Sequence, residues 1–307
     1  MIYRRLGNTD MVISSVTLGT LGMGAGGQDD SVSIETIHAA LDAGVNIIDT
    51  AQPYGKGKAE HVVGEALKGR RNKVFIAAKC GNLHLEDGRR VKNAEPNDLR
   101  RQLGETLERL KTDYIDIYQM HWPVLSTPFE DSFGEMVKMR DEGWIRFIGV
   151  SNFTLDEIEE ASKYAEIVSL QPLFSLVDRG AREKILPYCI EKGLGVMSYG
   201  SIGGGALTGK YKERPVFDPD DTRSRLYACF SEENWAQTKR IADRLGEIAA
   251  ERGVPTVQVA INWVTAQKGM TSAIVGARNP EQAVMNVGAG EWSLNKSELS
   301  RIEDSCR

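Results

Sequence analysis

Cysteine is scarce in this 307-residue chain, with only Cys80, Cys189, Cys229 and Cys306. They form no CxxC pair and no histidine lies near one at zinc-site spacing, which argues against a metal centre and for free thiols in a reducing compartment. Basic charge is also in short supply: 38 Lys and Arg stand against 43 Asp and Glu, and the pI is near 5.6. Such a balance argues against a nucleic-acid partner. The pairs Arg4-Arg5, Arg70-Arg71 and Arg89-Arg90 are too short to change that reading and fit solvated faces. Long apolar runs are missing, and Met1-Ile2-Tyr3-Arg4-Arg5 opens without an apolar leader, so neither a membrane span nor a secretory signal is expected. The expectation is a cytoplasmic protein with a small-molecule partner; the composition says nothing of its oligomeric state.

What is present is a repeat of short Val/Ile-rich runs and amphipathic segments, the pattern of βαβ units and a parallel sheet. Strands are expected at Val16–Leu18, Asn46–Asp49, Val74–Ala78, Tyr114–Met120, Ile145–Val150, Ile167–Leu170, Gly195–Tyr199 and Thr271–Val275. Helices are expected at 34–43, 59–67, 98–110, 129–142, 155–163, 182–192, 256–267 and 280–287. Eight units without a break in composition favour an α/β fold of the closed (β/α)8 TIM barrel type, as one domain over 1–307. Tyr3–Leu6 and Met11–Ser14 read as an N-terminal hairpin, 212–230 as a long loop after strand 7, and Lys296–Cys306 as an extra C-terminal helix.

Two glycine-rich stretches imitate nucleotide motifs. Gly22 to Gly27 satisfies GxGxxG, with Asp49 downstream at the distance of a ribose-binding acid. However, Gln28 to Ser31 intervenes before any helical pattern, and the hairpin and eight-unit count fit an open Rossmann sheet poorly. Gly204 to Lys210 approaches a Walker A loop, but Tyr211 stands where Ser or Thr should bind magnesium. Asp218 to Asp221 lacks the glycine of a metal loop.

Asp49, Tyr54, Lys79 and His121 fall at successive strand ends, the face on which such barrels carry their active sites. A phenol gives up its proton reluctantly, with an ordinary pKa near 10. A neighbouring ammonium, itself held by Asp49, is expected to lower that value, while His121 orients a substrate oxygen. Together they suit protonation of a carbonyl oxygen as hydride reaches carbon. Side chains cannot supply hydride, so a nicotinamide cofactor is expected.

The chain resembles the aldo-keto reductase superfamily, notably bacterial NADPH-dependent members related to the potassium channel β-subunits. Asp49-Thr50-Ala51-Gln52-Pro53-Tyr54-Gly55 is similar to the family's DTAxxYG signature, and Ala78-Lys79 and His121-Trp122-Pro123 resemble its lysine and histidine motifs. Further matches are Gly149 to Phe153, Leu170-Gln171-Pro172 and Gly276 to Gln282. The resemblance implies an NADP(H)-dependent reductase of aldehydes or ketones, NAD(H) remaining possible, with Tyr54 as general acid.

By the same resemblance Ser151, Asn152 and Gln171 hold the nicotinamide amide and Tyr199 stacks on its ring. Gly19 and Thr20 line the cleft. Gly200, Ser201, Ile202, Gly203 and Gly205, with Lys210, wrap the pyrophosphate. Gly276, Arg278, Gln282 and Asn286 lie at the adenosine end, Arg278 on the 2′-phosphate. Val275, Met285 and Gly200-Ser201 depart from the family pattern, all on the cofactor side. Leu21, Trp122, Phe153, Tyr227 and Phe230 are expected substrate-pocket walls, and Arg223 and Arg225 either touch cofactor phosphate or a substrate acid, or sit in a solvated loop. A different class of reading, a nucleotide-sensing subunit with slow turnover, uses the same four residues. A hydrolytic barrel lacks its paired carboxylates or metal cluster.

Overall fold

The computed structural model describes residues 1–23, 29–218 and 221–306. Val16–Gly19, Ile47–Asp49, Phe75–Cys80, Ile115–Met120, Ile145–Ser151, Ile167–Gln171, Gly195–Ser198 and Ser272–Gly276 form a closed barrel. Neighbours pair in parallel and in chain order, and the ring closes where Ser272–Gly276 pairs with Val16–Gly19. The strands are buried on both faces, which is why they read as near-continuous apolar runs.

Helices cover the outside, and one apolar cluster fills the space between them and the strands. A second cluster fills the barrel itself, with Ile47, Ala77, Ile117, Met197 and Ile274 pointing inward. The N-terminal hairpin, Tyr3–Arg5 with Val12–Ser14, adds Leu6, Met11 and Ile13 to that inner cluster and so stoppers one end. Chemistry is thereby confined to the other end.

The expected helices are present, with shifts at their ends. The first starts at Asp30 rather than Ile34, because Asp29 caps it by accepting from the Ser31 amide at 2.9 Å. The helix expected from residue 182 starts at Ile185. Two elements were not expected. One is a hairpin, Asn82–His84 with Arg90–Lys92, directly after the third barrel strand. The other is a 21-residue helix, Glu232–Arg252, following the loop at 212–230. Within that loop lie short turns at Arg223–Leu226 and Ala228–Phe230. Gly24 to Gly27 of the GxGxxG look-alike with Gln28 after it, and Pro219 and Asp220 of the acidic run, lie outside the described residues. No helix among the described residues is long and apolar enough to cross a membrane.

Candidate active site

Asp49 ends the second barrel strand and is buried, and the turn that follows brings Tyr54 back over it through the Tyr54 N–H bond to Ala51 O at 3.0 Å. Lys79 stands on the neighbouring third strand, fully enclosed. Its Nζ donates to Asp49 Oδ1 at 2.6 Å and to Thr50 O at 3.2 Å, and lies 3.5 Å from the Tyr54 hydroxyl. His121 follows the fourth strand, its backbone N–H bonded to Cys80 O at 3.0 Å. Its ring meets the Tyr54 ring edge-on, centroids 6.2 Å apart at 85°. The four residues expected to act together are therefore one cluster.

Burial raises the Tyr54 pKa well above 10, and the Asp49 charge raises it further. This corrects the expectation of a lowered Tyr54 pKa: in the unliganded site burial and the Asp49 charge set the net direction. Asp49 neutralises the ammonium at closer range than Tyr54 sees it. The phenol stays protonated, which is the state a proton donor needs. Lys79 is itself lowered by burial, offset by Asp49. His121 is held well below 6.5, first by burial and then by the positive charges of Lys79 and Lys92. It is a neutral imidazole, and its buried Nδ1 has no hydrogen-bond partner among the described residues.

Ser151, Asn152, Gln171 and Tyr199 form a polar network on the same rim. Gln171 Nε2 donates to Asp49 Oδ2 at 2.7 Å, and Ser151 Oγ donates to Gln171 O at 2.9 Å. Asn152 sits in the left-handed region, φ 61°, so that its Nδ2 reaches both Ser151 Oγ and His121 O at 3.0 Å. Its Oδ1 accepts from the Tyr199 hydroxyl at 2.8 Å. Thr20 donates through Oγ1 to Asp49 O at 3.0 Å, and Gly19 lies in register with Asp49.

After Ser198 the chain turns through Gly200, Ser201, Ile202, Gly203, Gly204 and Gly205. Gly204 and Gly205 have φ of 62° and 98°, which a side chain would oppose. A Cβ on Gly205 would stand 3.1 Å from Lys210 Nζ, so an ammonium lies directly on a side-chain-free backbone. A Cβ on Gly204 would meet the Tyr227 ring at 2.7 Å. Tyr227 thus folds from the 212–230 loop onto this cradle. Along the eighth unit, Arg278 is exposed and its N–H bonds Gln282 Oε1 at 3.0 Å, while Asn286 Nδ2 holds Gly276 O at 3.1 Å. A bare glycine loop under a lysine, beside a polar network, suits a dinucleotide.

The expected pocket walls divide. Leu21 and Trp122 are exposed at the mouth and Tyr227 lies on the glycine loop. Phe153 is instead core, stacked on Phe129 at 5.7 Å and edge-on to Phe133 at 6.2 Å. Phe230 belongs to a small aromatic core with Phe217, Tyr211 and Trp235. Arg223 is held by Asp221 at 2.5 Å and by the Tyr211 hydroxyl at 3.1 Å.

Sequence pattern alone does not single out Gln52 or Lys92. Gln52 clamps the hairpin to the Tyr54 turn, accepting from His84 N at 2.8 Å and donating to His84 O at 3.0 Å. The signal for that hairpin was Asp87-Gly88, a turn dipeptide between two short strands. Among the described residues there is no cluster of His, Cys, Asp or Glu that could hold a metal ion.

A closed barrel with a buried Asp–Lys pair under a tyrosine and histidine defines a carbonyl-reducing class of oxidoreductase. The chain belongs to the aldo/keto reductase family, matching it over residues 15–306. It is 35% identical to aldo-keto reductase YhdN of Bacillus subtilis (strain 168), covering 98% of this chain and 92% of the relative. It is 31% identical to the NADH-specific methylglyoxal reductase of Escherichia coli (strain K12), covering 97% and 96%. Among solved structures, glycerol dehydrogenase AKR11B4 from Gluconobacter oxydans superposes with a TM-score of 0.91 at 34% identity, covering 99% and 94%. An aldo/keto reductase from Klebsiella pneumoniae in complex with NADP and acetate has a TM-score of 0.78 at 28% identity, covering 98% and 94%.

Proposed function

We propose that this chain reduces an aldehyde or ketone to the alcohol, reversibly, with NADP(H) preferred and NAD(H) usable. The observation that carries the reading is continuity. Lys79, 3.5 Å from the Tyr54 hydroxyl, shares Asp49 with Gln171, so the lysine beside the proton donor and the amide-binding network are built on one carboxylate. A bound nicotinamide supplies hydride. Tyr54 holds the proton that the carbonyl oxygen takes up, and the neutral imidazole of His121 orients that oxygen. Lys79, kept charged by Asp49, stabilises the phenolate left after transfer. Gly200 to Gly205 and Lys210 receive phosphate, and Ser151, Asn152 and Gln171 hold the amide.

Support for the cofactor is divided among relatives. The Klebsiella protein is bound to NADP, whereas the E. coli relative is NADH-specific. Arg278, exposed in the turn after the eighth barrel strand, is the residue assigned to the 2′-phosphate here. The test is a panel of carbonyl compounds and sugars followed by NADPH absorbance, with NADH run beside it. Oxidation of either cofactor on addition of a carbonyl is the expected result; none with any compound would contradict the reading.

A further inference from the structure

The hairpin Asn82–His84 with Arg90–Lys92 leaves the third strand immediately beyond Lys79. Its register pairs Asn82 with Lys92, which returns Lys92 to the base of the hairpin, beside the barrel mouth. There the Lys92 ammonium lies over the ring of Trp122, 5.4 Å from its centroid, and Trp122 is the residue after His121. Trp122 is 37% exposed, so this face is open at the rim rather than packed in the core. Arg90, two residues away, shares the same face of the strand further out.

Lys92 is exposed and forms no ion pair among the described residues. Two of its basic neighbours are otherwise occupied. Lys56 donates to Glu86 O at 2.8 Å and Arg89 pairs with Asp87 at 2.7 Å. Of the nearby acids, Glu95 accepts from Thr127 at 2.8 Å and Asp98 pairs with Arg101 at 2.8 Å. The Lys92 charge reaches far enough to oppose protonation of His121. One cation thus stands over the approach to Tyr54 and His121 without a carboxylate to balance it. An aromatic face and an ammonium together suit a short carbon chain ending in an anion.

We propose that Lys92 is a specificity-determining residue that holds the carboxylate of an acid-bearing aldehyde or ketone while its carbonyl sits at Tyr54. This rests on the reductase reading above and adds the substrate class to it. Lys92→Met keeps the apolar stem on Trp122 and removes only the charge, and Lys92→Glu reverses it.

The experiment compares 4-oxobutanoate with butanal, which has the same carbon count and no acid, in the wild type and both variants. Tm is measured for each to confirm folding. The wild type should prefer 4-oxobutanoate, and that preference should shrink between about 20 mM and about 500 mM salt as screening sets in. In Lys92→Met the ratio of kcat/KM for the two substrates should fall about tenfold, mainly through KM, as one charge-assisted contact is lost. Lys92→Glu should lower it further. A ratio that stays the same in all three proteins would overturn the assignment. No oxidation of cofactor with 4-oxobutanoate by a wild type that reduces other carbonyls of the panel would overturn the role of Lys92 alone, whereas no oxidation with any carbonyl would overturn the reductase reading and the role of Lys92 with it.

Discussion

Lys79 donates to Asp49 across 2.6 Å in a site where the lysine side chain is fully buried and the aspartate nearly so. Desolvating two ions is costly and is offset only when each finds further partners. Asp49 finds Gln171 on its other oxygen, and Lys79 finds Thr50 O. The pair is thereby fixed in place before any ligand arrives, and it fixes Tyr54 in turn.

Lys79→Met should therefore cost both stability and activity. Leaving Asp49 as an uncompensated buried charge destabilises by about 3–5 kcal/mol, readable as a lower urea midpoint. Turnover should fall as well, because the phenolate loses its cation. A variant as stable as the wild type would show that the pair is not the keystone of the mouth.

Arg278→Ala separates the two cofactors. The guanidinium is assigned to a phosphate that NADH lacks, so the NADPH Kd should rise about tenfold while that for NADH changes little. Tryptophan fluorescence titration with each cofactor checks this. Equal weakening of both would remove Arg278 from phosphate recognition.

His121 carries a pH signature. Its folded pKa lies well below the ordinary 6.5, because burial and the charges of Lys79 and Lys92 oppose the imidazolium. The stability that goes with the neutral ring is complete above pH of about 6.5 and is lost as pH falls from there toward the folded pKa. His121→Asn should flatten the decline of the urea midpoint over that acid range. An identical decline in wild type and variant would contradict a buried neutral histidine.

Much of this architecture was legible in the chain. The strand ending in Asp49 and the strand carrying Lys79 announced themselves because parallel barrel strands are buried on both faces and so read as apolar runs. The site was legible for a related reason. Asp49, Tyr54, Lys79 and His121 interrupt those runs with polar groups at the end where a barrel opens.

Other features depended on packing that no local pattern carries. Phe153 looks like a pocket wall beside Asn152, yet Phe129 and Phe133 enclose it. Burial and the Asp49 charge together reversed the expected direction for Tyr54. The helix Glu232–Arg252 did have a local signature, with Ser231 accepting from Asn234 N at its start and Ile241, Leu245 and Ile248 at helical spacing. It was obscured by the irregular loop before it.

The proton on Tyr54 is the centre of the account, and removing that one oxygen tests it most directly. Tyr54→Phe keeps the ring against His121 and takes away only the donor. NADPH binding, followed by fluorescence, should stay within about twofold of wild type, while the rate of NADPH oxidation with an aldehyde should fall by about 10²–10⁴-fold. Near-normal turnover, or lost cofactor binding with turnover retained, would contradict it.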